Sequence, residues 1–446
     1  MEGKDLTQGN LLKNMIKFCI PLLITNLLNS LYNIVDGIWV GRLVGDEGMA
    51  AITNCWPITL LASSVLSAVT VTTSVVVAQR FASTNRENIK EVITPIYIVA
   101  MLLGIITSVV LIITSNMWLK ILNTPKEILT ISKQYLIIYL IGYVFYFLAA
   151  TIAEGIRATG NSTIPMILLT TINIINIVLD PIFILLGLGV LGAAVASMTA
   201  MIIGLIISLI YITKKTELLK FNIKFIKLKK EFLKEILKLG FPMLFAELST
   251  IFTIMIEVYV SNSLGVIGSS SYGIVSKLQS FFYIIGTSIK SMITIVVAQF
   301  VGKKAIHSLN IVMKNGLKIV LVPTVLIALF LITASSWFCS IFTSNEEVIK
   351  MAGDFLSIVG FAFTLIPLSQ LMMGFVLGVG NTRFAFITLV LASISEIILL
   401  TGINSYYNKP LFALGISILS WYIVNIICCS GHYFYEGSRQ SKGEAI

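Results

Sequence analysis

Long apolar runs recur at nearly regular intervals along all 446 residues, and no other feature constrains the fold as much. A helix needs about 20 apolar residues to cross the hydrocarbon core of a bilayer. Runs of that kind predict spans near 18–40, 50–78, 92–115, 134–153, 162–186, 190–212, 239–262, 270–299, 315–337, 352–374, 384–402 and 411–432. Only 12% of the residues are charged, about half the share in a soluble domain. Mean hydropathy is +0.95. These values exclude an ordinary soluble enzyme, a disordered chain and a disulfide scaffold. The expected fold class is an all-α polytopic membrane protein. The polar stretch from Met1 to Lys17 leads into an apolar run with no small-residue cleavage pattern. That run therefore reads as the first span and not as a signal peptide.

The net charge of +10 is explained by topology. With a cytoplasmic N-terminus, about 23 lysines and arginines fall in cytoplasmic segments. Outside loops hold Arg42, Lys120, Lys126, Lys133, Lys350 and Lys409, and Lys277 and Lys290 lie within a span. This asymmetry places both termini in the cytoplasm and gives the charge no nucleic-acid role. The basic segment 214–238 mixes lysine with Phe, Ile and Leu. It predicts a linker containing an amphipathic helix on the anionic inner leaflet.

The two halves repeat one another. KFCIPLL at 17–23 matches KLGFPML at 238–244, and VVVAQRF at 75–81 resembles IVVAQFV at 295–301. ILNTPKE at 121–127 matches IFTSNEE at 341–347, and RATGN at 157–161 matches LGVGN at 377–381. An offset constant at about 220 residues marks a structural repeat. The predicted organisation is an N-terminal six-helix lobe over 1–213, the linker 214–238, and a C-terminal six-helix lobe over 239–446. Six spans return the chain to its starting side. The lobes should then be related by a pseudo-two-fold axis along the membrane normal, with a cavity between them for alternating access.

Acidic side chains inside a span cost roughly 2.5–3.5 kcal/mol each on insertion scales, so they face a cavity or a partner. Asn26, Asn29, Asn33 and Asp36 are spaced three, four and three apart in the first span. They share one helix face. Thr170, Asn173, Asn176 and Asp180 form a similar stripe in the fifth, and Pro181 follows Asp180. Both aspartates fall in the outer half of the N-terminal lobe. Two carboxyl groups at one depth, ringed by amide and carbonyl oxygens, can carry a proton or hold Na⁺. The bland alternative is a hydrogen-bonded network that glues helices together. In the second half, Glu257 stands at the offset of Asp36, Glu247 at that of Asn26 and Glu396 at that of Asn176. These glutamates either line a cavity for a cationic substrate or pair with Lys277 or Lys290.

The chain shows no catalytic constellation. His307 and His432 sit in a loop and at the end of the last span, and the cysteines form no CxxC pair. No GxxxxGK[ST] motif is present, so direct use of ATP is not expected. No cofactor or bound metal is expected beyond H⁺ or Na⁺ as coupling ion.

These features carry a resemblance to the multidrug and toxic compound extrusion (MATE) family, from about Leu11 to Tyr435. The matching segments are PLLITNLLNSLYNIVDGIWVGRLVG, AQRF, RATGNSTIPM, NIVLDPIF, LGAAVASM and GVGNTR. The resemblance implies two six-helix lobes and antiport of organic cations and drugs against Na⁺ or H⁺. Asp36 corresponds to the aspartate of the family's first helix. Asn176 and Asp180 match its NxxxDP pattern, which forms the N-lobe cation site in the DinF-like branch. Ser197 matches a hydroxyl residue that joins the site. Where some members carry an eighth-span carboxylate this chain has Lys290. The tenth-span segment FTLIPLSQ has no acid. Both departures favour the N-lobe site.

The leading expectation is therefore a non-enzymatic, plasma-membrane multidrug exporter, monomeric and acting on small cationic amphipathic molecules among membrane lipids. A flippase for lipid-linked oligosaccharides and an ion channel are the alternatives.

Overall fold

A computed structural model describes residues 4–83, 88–122, 124–226, 230–343, 345–407 and 410–441. Among them the regular structure is helical. The first half contains α1 (Leu11–Leu43), α2 (Asp46–Ala82), α3 (Asn88–Ile121), α4 (Lys126–Ala158), α5 (Thr163–Phe183) and α6 (Val190–Lys215). The second contains α7 (Lys230–Asn262), α8 (Gly265–Gly302), α9 (Leu309–Phe342), α10 (Glu346–Thr364), α11 (Ile366–Gly378), α12 (Thr382–Tyr407) and α13 (Pro410–Ser441). Twelve stretches are long and apolar enough to cross a membrane, with α10 and α11 counting as one. Helices suit this composition because they satisfy every backbone group internally where no water is available.

The tenth span differs from a single predicted helix. It breaks at Leu365, because Pro367 at the start of α11 has no N–H to continue the α10 ladder. The linker also differs from expectation. Thr216–Asn222 is non-helical, Ile223–Phe225 makes one 3₁₀ turn, and α7 already begins at Lys230. The amphipathic sequence has no stop signal after Lys230, so it runs on into the seventh span in place of forming a separate surface helix. Residues 227–229 of the linker lie outside the described residues, as does Lys409.

Contacts divide the chain into two compact units. One is Met1–Asp5 with Ile20–Gly240, and the other is Leu6–Cys19 with Phe241–Ile446. The division crosses α1 just before Pro21 and α7 just before Pro242. In the second unit, the Leu6 N–H donates to Gln299 Oε1 at 3.0 Å. In the first, Arg80 pairs with Glu235 at 2.8 Å. Both side chains of that pair are partly exposed. Arg80→Ala is therefore expected to cost less than about 1 kcal/mol in thermal unfolding.

The repeat seen in sequence recurs as local geometry. Gly160 and Gly380 both take a left-handed backbone, at φ 86° and 85°. The residues after them, Asn161 and Asn381, each accept a backbone N–H at the start of the next helix, from Ile164 at 3.2 Å and Phe384 at 3.1 Å. Asn381 directly precedes α12, whereas Asn161 lies one residue outside Ser162, the N-cap of α5; each side chain satisfies a backbone N–H in the first turn.

Within the first unit, Val40, Ile58, Leu136, Phe147 and Val190 form a buried core. In the second, Phe282, Phe355, Phe363 and Trp421 do so. Large aliphatic side chains are also exposed, among them Ile113 at 75% and Leu185 at 72%. Exposed apolar surface on this scale suits acyl chains, not water. Close helix approach depends on small residues. A Cβ on Gly142 of α4 would stand 2.7 Å from the Met198 Cα of α6. Gly142→Val is expected to destabilise the protein by about 1–3 kcal/mol, read as a lower Tm in detergent. The five cysteines are free, and all but Cys428 are buried.

Candidate functional site

The first unit brings the two predicted polar stripes together. Asn173 of α5 donates through Nδ2 to Asn29 Oδ1 of α1 at 2.5 Å. Asn176 donates to Asp180 Oδ1 at 2.6 Å, one turn along the same helix. The Asp36 and Asp180 carboxyl groups face one another across the two helices, near enough to interact electrostatically. Asp180 and Asn176 are buried, at 0% and 3% exposed, and Asp36 is half-buried. Asp180 Oδ2 receives no donor among the described residues. An ionised carboxylate has only acceptors. A bond between two carboxyl groups therefore requires that one of them holds a proton, or that a cation takes the proton's place.

Tyr32 is the member of this network that the sequence reading missed. Its hydroxyl donates to Asn176 Oδ1 at 3.2 Å and contacts Ser197 of α6. Ser197 thus reaches the site through Tyr32. The available signal was position: Tyr32 stands one turn before Asp36, between Asn29 and Asn33. A line of tyrosines on α4 was missed too. Tyr135, Tyr139 and Tyr143 stack at successive centroid distances of 6.1 and 5.9 Å. Tyr135 and Tyr139 lie within electrostatic range of Asp36. Asn33, predicted on the same stripe, is exposed and has no hydrogen bond to the network among the described residues.

In the second unit the predicted acids behave differently from one another. Glu247 is half-buried on α7. Glu257 and Glu396 are buried, and the Tyr272 hydroxyl donates to Glu257 Oε2 at 2.5 Å. Neither Glu257 nor Glu396 pairs with a lysine among the described residues. The Lys277 ammonium sits 4.8 Å from the Phe342 ring centroid. His432 stacks on Phe384 at 4.5 Å between ring centroids.

Twelve membrane-spanning helices, an internal repeat and a carboxyl pair between two spans define a polytopic membrane protein with intramembrane ionisable groups. The family model described as MatE matches residues 21–182 and 242–401, and the chain belongs to that family of membrane transporters. Its curated relatives include the "Probable multidrug resistance protein YoeA" of Bacillus subtilis (strain 168). That protein is 24% identical over 440 residues, covering 96% of this chain and 94% of the relative. The "Multidrug export protein MepA" of Staphylococcus haemolyticus is 26% identical over 434 residues, covering 94% and 92%. Among solved structures, a MOP superfamily transporter from Pyrococcus furiosus aligns with a TM-score of 0.89 at 20% identity, covering 99% and 98%. The outward-facing conformation of a multidrug resistance MATE family transporter gives the same TM-score, identity and coverage. At this identity the structural likeness concerns the fold.

Proposed function

We propose that the protein is a secondary active exporter of small cationic amphipathic molecules, working by antiport with H⁺ or Na⁺ and alternating access. Asp36, Asn176 and Asp180 carry the coupling ion, and Ser197 assists through Tyr32. The observation that carries this reading is the approach of Asp36 to Asp180 beside an Asp180 oxygen that lacks a donor. Binding of H⁺ or Na⁺ there neutralises repulsion between α1 and α5, and its release restores it. A conformational equilibrium shifts only as far as a ligand binds its two states unequally, and a charge held between two helices supplies such a difference. On this reading the pair is the N-lobe site that the DinF-like resemblance implies, and the multidrug activity named for YoeA and MepA supports the substrate class. The protein works in the plasma membrane as a monomer, with both termini cytoplasmic.

Ethidium exchange in proteoliposomes tests the reading. Preloaded vesicles should release ethidium faster when an inward H⁺ or Na⁺ gradient is imposed than when none is. Gradient-independent behaviour, combined with binding of a polyprenyl-pyrophosphate, would replace the exporter with a lipid-linked saccharide flippase.

A further inference from the structure

A cavity of about 370 Å³ opens between α9 and α13 in the second unit, lined by Asn310, Lys314, Tyr433, Phe434 and Gly437. These residues stand at the start of the apolar span of α9 (Leu309–Leu331) and the end of that of α13 (Pro410–Ser438). The Tyr433 hydroxyl donates to Asn310 Oδ1 at 2.7 Å, and its ring meets the buried Phe375 of α11 edge-on, 5.2 Å between centroids. With Oδ1 taken, Asn310 has its Nδ2 group left to offer, which only donates. Lys314 is exposed one turn along α9 and forms no ion pair among the described residues. Lys318 is exposed one turn further. Glu436, the acid nearest along α13, is buried and turns to His432, 3.8 Å away. The cavity therefore offers donors and positive charge, which suit an anionic group. Below it, Leu317, Leu321 and Val325 follow Lys314 on the same side of α9 and are 45%, 62% and 47% exposed. A basic notch at the end of a span, above an exposed aliphatic stripe, matches a phospholipid headgroup with its chains along the helix.

The internal repeat explains why the notch is open. At an offset of 220 residues, Asn310, Lys314 and Leu317 correspond to Lys90, Thr94 and Tyr97 of α3. In the first unit the protein's own chain closes that place. The Asn222 N–H donates to Thr94 Oγ1 at 3.0 Å, the Tyr97 hydroxyl donates to the Leu219 carbonyl at 3.3 Å, and Leu219 is buried. This strap forms because α6 ends at Lys215 and the chain turns back across α3. In the second unit α13 passes the equivalent position, Tyr435, and continues as a helix to Ser441. Lys314 thus lies open where Thr94 is covered.

We propose that the cavity between α9 and α13 binds one anionic phospholipid, with its phosphate on Lys314 and Asn310 and its acyl chains along Leu317, Leu321 and Val325. A zwitterionic headgroup would set an ammonium group against Lys314 and Lys318, and no carboxylate among the lining residues receives it. An anionic headgroup meets no such penalty. The lipid takes the place that the 216–222 strap takes in the first unit, and it ties the start of α9 to the end of α13.

Native mass spectrometry of the full chain in detergent micelles, titrated with phosphatidylglycerol, tests this. The wild type should hold one phosphatidylglycerol more tightly than phosphatidylcholine. Lys314→Ala should weaken it by about fivefold, the scale of one lysine at an anionic surface. Lys314 is exposed, so the fold should tolerate alanine. Asn310→Asp keeps the bond from Tyr433 and sets a carboxylate against the phosphate, so it should weaken binding as well. Lys224→Ala removes an equally exposed lysine from the first unit's linker and should change nothing. Unchanged affinity in Lys314→Ala and Asn310→Asp, or an equal loss in Lys224→Ala, would overturn the proposal. So would displacement of the lipid by inorganic phosphate, which would make the cavity a site for a soluble anion. The readout is lipid binding and not transport, so either failure leaves the Asp36–Asp180 reading standing.

Discussion

Asp180→Asn is expected to end gradient-driven efflux of ethidium from proteoliposomes while leaving ethidium binding in place. Asparagine keeps the size of the side chain, and so the packing of a residue that is 0% exposed. It cannot ionise, so its interaction with Asp36 no longer responds to a proton or Na⁺. Asp36→Asn should have the same effect from the α1 side, since the pair acts as a unit. The effect should exceed about tenfold in initial rate, corresponding to at least ~1.4 kcal/mol of lost coupling. Comparing efflux rates with ethidium affinity separates the two roles: coupling falls and binding stays. A role in helix packing alone would instead lower Tm and leave the gradient response of the surviving protein intact.

Asn176→Leu should be nearly as severe, by a different route. Asn176 joins the parts of the site: it donates to Asp180 Oδ1 at 2.6 Å and accepts from Tyr32 at 3.2 Å. Leucine fills the volume and removes both bonds. A buried polar group left without its partner costs about 1–3 kcal/mol, and here two groups lose one. Efflux should fall by about tenfold or more, using that same range, and the gradient needed for half-maximal rate should change. Asn176→Gln retains an amide and should recover part of the rate. Equal losses in the leucine and glutamine variants would mean that the position matters for shape and not for its hydrogen bonds.

Asp36 and Asp180 were legible in the sequence, because two helical stripes of Asn ending in Asp have few uses inside a membrane. The spacing put each on one helix face, and topology put them at one depth. Tyr32 was not legible, although it touches Asn176 and Ser197. An aromatic residue at helical spacing in an apolar run looks like ordinary filling, and only the packing of α1 against α5 and α6 gives its hydroxyl a partner. The tyrosines of α4 were hidden for the same reason. Glu257 and Glu396 could be found from the repeat, but Tyr272 as the donor to Glu257 could not, because the bond depends on how α8 packs on α7. Backbone events were readable only where they had a local cause. The turns at Gly160 and Gly380 have such a cause in the left-handed backbone that glycine allows. The break at Leu365 rested on Pro367, a signal that the uninterrupted hydropathy of the tenth span masked. The run of α7 from Lys230 through Gly240 was obscured by charge, which made the start of a membrane helix resemble a linker.

The most direct measurement of the central claim is ethidium efflux from one proteoliposome preparation under a pH gradient alone and then a Na⁺ gradient alone, for the wild type and for Asp180→Asn. The wild type should respond to at least one gradient, and Asp180→Asn should respond to neither while still binding ethidium. Efflux by Asp180→Asn that follows the gradient as the wild type does would contradict the assignment of coupling to the Asp36–Asp180 pair.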